Sequence, residues 1–261
     1  MSESSLRLRA RTIALGSSAN IALRASLLVN AVARPVRHHE PIGPVQFGES
    51  KVLIRTPEPR DASSWRATRL ANSKALRAVF DDGDRQWEAI HTNLDWLERC
   101  TRLRREARRG HAVPFVLVRL NDAGDEQIVG EVGVDGYDSA SGTGELSIWI
   151  VPIPRRGDIG LWALLSVILC AFEMERPMAR LVAPAAVTNS HPRALIEALE
   201  LEYRAHLRGL RYYDGQVVDH DLWSLDNNPE TVARLRAKLG ELEANQRSAG
   251  SGQVAQTSSS T

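Results

Sequence analysis

Among the 261 residues, one segment has the composition of an anion site: Pro154-Arg-Arg-Gly-Asp-Ile-Gly160, running into the apolar stretch Leu161 to Phe172. A helix that starts here presents unpaired N–H groups and the positive end of its dipole. Arg155 and Arg156 add full charge, and the glycines let a ligand approach the backbone closely. That chemistry suits a diphosphate. A loop-to-helix junction with solvated basic residues would carry the same letters. Asp158 cuts across the pattern. Its carboxylate suits the dipole of an empty helix end and opposes a diphosphate by about 1–3 kcal/mol at ~5 Å in a partly solvated site. Turning towards Arg155 or Arg156 would compensate it.

Other groupings are weaker. Asp219-His220-Asp221 invites a catalytic reading and equally a structural one on a strand. His38-His39 has no carboxylate or cysteine at ligand spacing, so no metal site is expected. Arg99 to Arg109 holds six arginines and one acid. It reads as a solvated helix face, or as a surface for an acidic partner or ribosomal RNA. No aromatic residues interleave there, which argues against base stacking. Cys100 and Cys170 fall in amphipathic or buried helices and read as packing residues in a reducing, cytoplasmic setting.

The composition sets the frame. With 43% hydrophobic and 25% charged residues the chain is an ordinary globular protein, neither collagen-like nor wholly disordered nor a polytopic membrane protein. A net charge of +1 argues against non-specific coating of nucleic acid, DNA included. Lysine occurs only at 51, 74 and 238, so the 33 basic side chains are nearly all arginines, a bias of usage more than a sign of phosphate recognition. Residues 1–39 carry a net +5, and the remainder sums to −4. Ile13 to Ala33 is apolar but broken by Gly16 to Asn20 and Arg24, so it falls short of the ~20 apolar residues a membrane span needs. Residues 1–49 are expected to be a basic extension and linker.

The elements that must position these groups follow from periodicity and punctuation. Val52–Arg55 reads as a strand, and a helix opens at Pro59-Arg-Asp61 and runs to about Asn72. Asp84 to Arg109 reads as one long helix with a stripe of Trp87, Ile90, Leu94, Leu97 and Thr101, stopped by Gly110. Val113–Val118 and Ile128–Val134 form a hairpin, and Glu145–Ile150 is the next strand. Ile159 to Met174 is apolar nearly all round, as a helix packed on a sheet is. Arg180–Ala183, a helix from Pro192 to Leu201, and a hairpin across Asp214-Gly215 follow. Asn228-Pro229 starts a last helix that ends near Arg247, and 248–261 is Ser/Gly/Gln-rich and expected to be disordered. The order predicts a single α/β domain, with a mixed, mostly antiparallel sheet flanked by helices.

That order resembles the GNAT acetyltransferase superfamily, in particular its ribosomal-protein N-terminal (Rim-type) branch. Four segments carry the likeness: Glu145-Leu-Ser-Ile-Trp-Ile150, Pro154 to Gly160, Val187-Thr-Asn-Ser-His-Pro192 with Leu195, Ile196 and Leu199, and Leu207-Arg208 with Gly215 and Asp219 to Leu225. Arg60-Asp61 with Trp65 fits the family's first helix. The resemblance covers about 50–226, with 227–247 as a C-terminal helix. Three positions depart from it. Asp158 stands where the loop has its central glycine, Pro192 where a serine follows Asn189, and Glu200 where a glycine follows Leu199.

The resemblance implies acetyl-CoA as co-substrate, with Ile150, Val151, Arg155, Arg156, Gly157, Asp158, Ile159, Gly160, Leu161 and Asn189 around it. It implies Glu145 as the base that takes the amine proton, with Glu131 in reserve, and Ser190 or Tyr203 as the acid for the thiolate. His220 is then structural. The acceptor is a primary amine, either a protein N-terminus (a ribosomal protein's, for example) or a small molecule. A third reading is a GNAT-fold module whose degenerate loop binds acyl-CoA weakly or not at all, and which serves as a binding or regulatory module without catalysis. No integral membrane association is implied, and the protein is a monomer or a homodimer.

Overall fold

A computed structural model of the chain describes residues 40–80 and 86–257. Residues 1–39, most of the expected extension, lie outside the described residues. Eight strands form one sheet: β1 (Ile42–Phe47), β2 (Ser50–Arg55), β3 (Val113–Leu120), β4 (Glu126–Asp138), β5 (Thr143–Ile150), β6 (Arg180–Ala186), β7 (Glu202–Tyr213) and β8 (Gln216–Asp226). Their order is β1-β2-β3-β4-β5-β6-β8-β7. All neighbours are antiparallel except β5 and β6. Six helices flank it: α1 (Ala62–Ala71), α2 (Ser73–Phe80), α3 (Asn93–Arg109), α4 (Arg156–Glu173), α5 (Arg193–Leu199) and α6 (Pro229–Thr257). The fold class is the expected one.

Side chains alternate across the sheet and divide its two faces. On one face lies α4. Ile148 and Ile150 of β5 point to it, and their Cδ1 atoms lie close to Gly160. α4 is apolar all round because both its sides are covered: the sheet lies beneath it, and α6 lies over it, where Glu243 accepts from Trp162 Nε1 at 3.1 Å. On the other face α1 and α3 are tied down by polar anchors. Trp65 Nε1 donates to Glu131 on β4 at 2.6 Å, and Thr68 donates to the Ile128 carbonyl at 2.7 Å. Buried Arg55 donates to Asp61 through both terminal nitrogens and to Glu126, which ties β2, the turn at Pro59–Asp61 and β4 together.

Four elements differ from expectation. The extension and linker expected over 1–49 contains strand β1, disguised by Gly43-Pro44; at the edge of a sheet such residues are tolerated, because one side of the strand has no partner to bond. The long helix of 84–109 is broken. A short 3-10 turn, Trp87–Ile90, precedes α3, which starts afresh at Asn93 under a capping box in which the Thr92 hydroxyl accepts from the Asp95 amide. The break resets the helical phase, so Trp96, Cys100 and Leu103 are buried and Leu94 is exposed. α2 carries no periodicity that sets it apart from its neighbours in the sequence. Finally, α6 runs on to Thr257, ten residues past Arg247, over part of the stretch expected to be disordered. The stop at Gly110 and the cap at Asn228 stand where the sequence puts them: Gly110 is left-handed, and Asn228 Oδ1 accepts from the Thr231 amide at 2.8 Å.

Candidate active site

The parallel pair is what opens the molecule. β5 and β6 are in register only from Thr143/Arg180 to Glu145/Val182. Beyond that point each strand keeps its other neighbour, β4 for one and β8 for the other, so the two splay apart. A cleft of about 730 Å³ occupies the gap. Its floor is the free length of β5 from Ile148 to Val151.

One end of the cleft is the start of α4, where Arg156, Gly157, Asp158, Gly160 and Leu161 line it, opposite Asn189, Pro192 and Leu195. Arg155 caps α4 in the left-handed region (φ 59°, ψ 22°) and makes no side-chain capping bond. The first-turn amides of Gly157 and Asp158 therefore have no partner within the helix. A Cβ added to Gly157 would meet open space. Arg155 Nε lies 2.7 Å from Asp158 Oδ2, so the carboxylate is paired as its neighbourhood requires. Arg155 itself does not line the cleft. Ile159 is fully buried and belongs to the core. Asn189 Oδ1 accepts from the His191 amide at 3.2 Å, a turn-capping bond that leaves its Nδ2 without a partner among the described residues.

The other end lies across the sheet. There the cleft is lined by Asn72 at the end of α1, by Leu76 and Phe80 of α2, by Trp149, whose side chain points to the α1 face, and by Tyr213. Tyr213 comes from the tip of the β7–β8 hairpin, which turns through Asp214 and Gly215, both at positive φ as the sequence led us to expect. The Asp214 amide donates to the Ala78 carbonyl at 2.6 Å and pins the tip to α2. Burial, then the Asp214 carboxylate, pushes the Tyr213 phenol up, so it stays protonated near neutrality.

The three expected catalytic side chains are not brought together. Glu145 stands at the splay point, but Arg211 of β7 grips it with two bonds of 2.6 Å. Ser190 is exposed and outside the cleft lining, and Tyr203 is exposed on β7 with its ring edge-on to Trp223. Two groups that the sequence does not single out are placed by the fold instead, one in the cleft and one outside its lining. Tyr213 is one. The other is Asp135, opposite Glu145 on β4, whose carboxyl is pushed up by burial and then by Glu145. Glu131 is buried and accepts from Trp65 and from Arg99.

The remaining candidates resolve into local structure. His220 is buried and its Nδ1 faces the Val218 carbonyl, while Asp219 and Asp221 both reach His206 instead, at 2.9 and 3.0 Å. Those two carboxylates push the His206 imidazole up. In the arginine-rich stretch of α3, Arg99 pairs with Glu131, Arg105 and Arg109 with Glu106, and Arg104 is buried. Among the described residues no group of three metal-ligating side chains occurs, and no helix is long and apolar enough to cross a membrane.

Residues 54–222 match the family model described as an acetyltransferase (GNAT) domain. No curated protein sequence matches the chain. Solved structures with a similar fold include Mycobacterium smegmatis RimJ in complex with CoA-disulfide, at 24% identity over 77% of this chain and 95% of that one, TM-score 0.64. The ribosomal-protein-S5-alanine acetyltransferase from Vibrio fischeri matches at 20% identity over 70% and 96%, TM-score 0.61. The microcin C7 self-immunity acetyltransferase MccE, in complex with acetyl-CoA and AMP, matches at 14% over 69% and 97%, TM-score 0.53.

Proposed function

The chain belongs to the GNAT acetyltransferase family and is an acyltransferase, and on that premise we propose that it transfers an acetyl group from acetyl-CoA to a primary amine, the α-amine of a protein N-terminus. The observation that carries this reading is the cleft itself. It runs through the splay of β5 and β6, with an uncapped helix N-terminus at one end and an aromatic wall at the other. A donor and an acceptor entering from opposite faces of the sheet meet in its middle. The choice of a protein N-terminus is supported by the fold neighbour from Vibrio fischeri, whose name gives it a ribosomal protein as acceptor. Such an acceptor would set the enzyme to work in the cytoplasm.

In this reading the amides of Gly157 and Asp158, with Arg156, hold the diphosphate. Ile150, Val151 and Asn189 lie along the arm that follows. Acetyl-CoA supplies an acyl group on a good thiolate leaving group. The ammonium of the acceptor must lose a proton before its nitrogen attacks. The Asp135–Glu145 carboxylate pair at the splay point takes it, with Asp135, whose carboxyl is pushed up by burial and then by Glu145, as the base. The Tyr213 phenol, protonated and in the cleft, returns a proton to the departing thiolate.

One observation favours a second reading, a weak acyl-CoA binder without catalysis: Asp158, a carboxylate, lines the end of the cleft where the diphosphate would sit. Calorimetric titration of acetyl-CoA into the protein and into Asp158→Gly decides. Saturable micromolar binding by the unmodified chain sinks the second reading. Binding that appears only in the variant sinks the first. Asp158→Gly should tighten binding about tenfold, or ~1.4 kcal/mol. A panel of peptides and small amines, scored by CoA release and mass spectrometry, then separates protein from small-molecule acceptors.

A further inference from the structure

The end of the cleft across the sheet from α4 is apolar where the helix that builds it meets solvent. α2 sets Leu76, Val79 and Phe80 at the spacing of one helical stripe, and all three line the cleft. Only Leu76 is buried; Val79 and Phe80 are 45% and 37% exposed. Lys74 and Arg77 of the same helix stay out of the lining, and Trp149 and Tyr213 complete the wall. Two polar side chains line this end. Asn72 spends its Nδ2 on the Thr68 carbonyl at 2.9 Å, and the Tyr213 phenol is the other. Among the described residues no charged side chain lines it: Arg156 and Asp158 stand at the α4 end.

The wall is also held in place. The bond from the Asp214 amide to the Ala78 carbonyl keeps the hairpin tip, and Tyr213 with it, against α2. Behind Phe80 and Trp149 lies the buried guanidinium of Arg69, its Cζ 4.3 and 5.0 Å from their ring centroids, with Trp87 and Trp65 at 5.2 and 5.7 Å. Arg69 Nε donates to His91 Nε2 at 3.0 Å. A cation over a ring face attracts it, so Phe80 is anchored although it is partly exposed. Arg69 itself does not line the cleft, and a ligand there meets rings and alkyl groups. A substituent beside the acceptor nitrogen enters this end with it. A charged one loses water and finds no partner, whereas an apolar one takes the surface of Val79 and Phe80 out of water.

We propose that this end of the cleft selects the acceptor by an apolar group: the amines it takes carry a leucine-sized or aromatic, uncharged substituent beside the reacting nitrogen, which packs on Val79 and Phe80. The inference rests on the transferase reading given above and names the substrate class of that same site. Two sources offer the same chemistry, the first side chain of a polypeptide and a free apolar amine.

The test uses the full chain, acetyl-CoA and peptides that differ only in their first residue: Leu, Phe, Ala, Asn, Asp or Lys. A parallel arm sets phenethylamine against ethylamine. In at least one arm kcat/KM should favour the larger apolar group, over Ala or over ethylamine, by about tenfold or more, the worth of filling an apolar pocket. The arm in which it does so tells polypeptide from free amine. Among the peptides Asn, Asp and Lys should fall below Leu. Val79→Asp places a carboxylate on the exposed part of the wall and should cut the ratio of Leu to Lys, or of phenethylamine to ethylamine, about tenfold. Val79→Ser should move it part of the way, and a merely structural role would lower all acceptors alike. No preference for the larger group in either arm, a preference for Asp or Lys, or a ratio that survives in Val79→Asp overturns the proposal. If no amine is acetylated at all, the transferase reading fails and this one is still measurable. Calorimetric titration in the presence of CoA should then show saturable binding of the Leu peptide or of phenethylamine, and none of the Asn peptide or of ethylamine. Equal responses within both pairs, or no binding at all, overturn it.

Discussion

Two arginines are buried to the same depth and treated in opposite ways. Arg55, on β2, and Arg69, on α1, are 6% and 7% exposed. Arg55 meets two carboxylates, donating to both oxygens of Asp61 at 2.9 and 2.6 Å and to Glu126 at 2.6 Å. Its pKa is raised in spite of burial, because those hydrogen bonds and charges outweigh desolvation. Arg69 meets rings and a neutral imidazole, and its pKa falls. Both leave one nitrogen unbonded, Nε in Arg55 and NH1 in Arg69. What separates them is the counter-charge. The compensated site holds β2, β4 and the start of α1 together, and the other lies behind Phe80 and Trp149, which line the cleft. A buried charge marks a working site when its compensation is missing, not merely when it is buried.

The strongest way to break that contrast is to remove each cation. Arg55→Met leaves Asp61, 4% exposed, as a buried carboxylate without its cation. It should cost about 3–5 kcal/mol in urea unfolding. Arg69→Met abandons no charge and should stay within about 1 kcal/mol of the unmodified protein. Equal losses would mean that Arg69 is structural after all.

Glu131 is the hinge of the comparison, since it is the one acid whose charge reaches Arg69 and supports it. Trp65→Phe removes the indole N–H that holds one of its oxygens. If Glu131 is committed to Trp65 and Arg99, the variant should lose about 1.5–3 kcal/mol of stability, as for a hydrogen bond to a charge. A loss well under 1 kcal/mol would show that the carboxylate can turn to Arg69, and the two arginines would then differ less than their geometry suggests.

Acid sharpens the contrast more gently. The hydrogen bond and charge of Arg55 hold Glu126 below the usual carboxylate range. A carboxyl depressed in the fold contributes fully above its unfolded pKa, about 4.3, and loses that contribution as pH falls through the folded value. Stability should therefore drop below about pH 4. Glu126→Gln should flatten that limb by no more than about 1 kcal/mol, because the carboxylate is partly solvated. Arg69 has no carboxylate bound to it, but against the upward push of burial its charge joins that of Arg99 in holding Glu131 below the usual carboxylate range, so Arg69→Met should also flatten the limb, through Glu131.

How much of this was legible in the sequence depends on how local each feature is. The caps at Gly110 and Asn228, the Asp214-Gly215 turn and the Arg155 to Gly160 loop are each written in a few consecutive residues, and each forms locally. The strands of the central sheet follow from alternation. The acceptor end is not local: Leu76, Phe80, Trp149 and Tyr213 meet from three distant stretches. No spacing rule joins them, and Phe80 reads as one more apolar residue. The Glu145–Arg211 pair spans 66 positions, so Glu145 looks free in the sequence and is held in the fold. Tyr203 and Tyr213 illustrate the same limit. Ten positions apart on one strand, they are equivalent by type, and only the hairpin's reach to α2 puts the second in the cleft.

Glu200 supplies the smallest test of whether cost near the cleft signals use. It ends α5 in the left-handed region, at φ 55°, where a glycine would sit without strain. The strain of about 1–2 kcal/mol is offset by ion pairs with Arg234 at 3.1 Å and Lys238 at 3.4 Å. Exposed pairs of this kind are worth about 0–1 kcal/mol each. Glu200→Gly should therefore stabilise the fold by about 0.5 kcal/mol, read as a small rise in Tm. Here the compensation is present, as at Arg55, so the rule drawn from the two arginines assigns Glu200 no part in binding. Acetyl-CoA affinity should be unchanged in the variant, although α5 lines the cleft through Leu195 and Ala198. A change in affinity without a change in stability would show that the strained turn sets the position of α5 against the ligand, and that a compensated cost can mark a working site too.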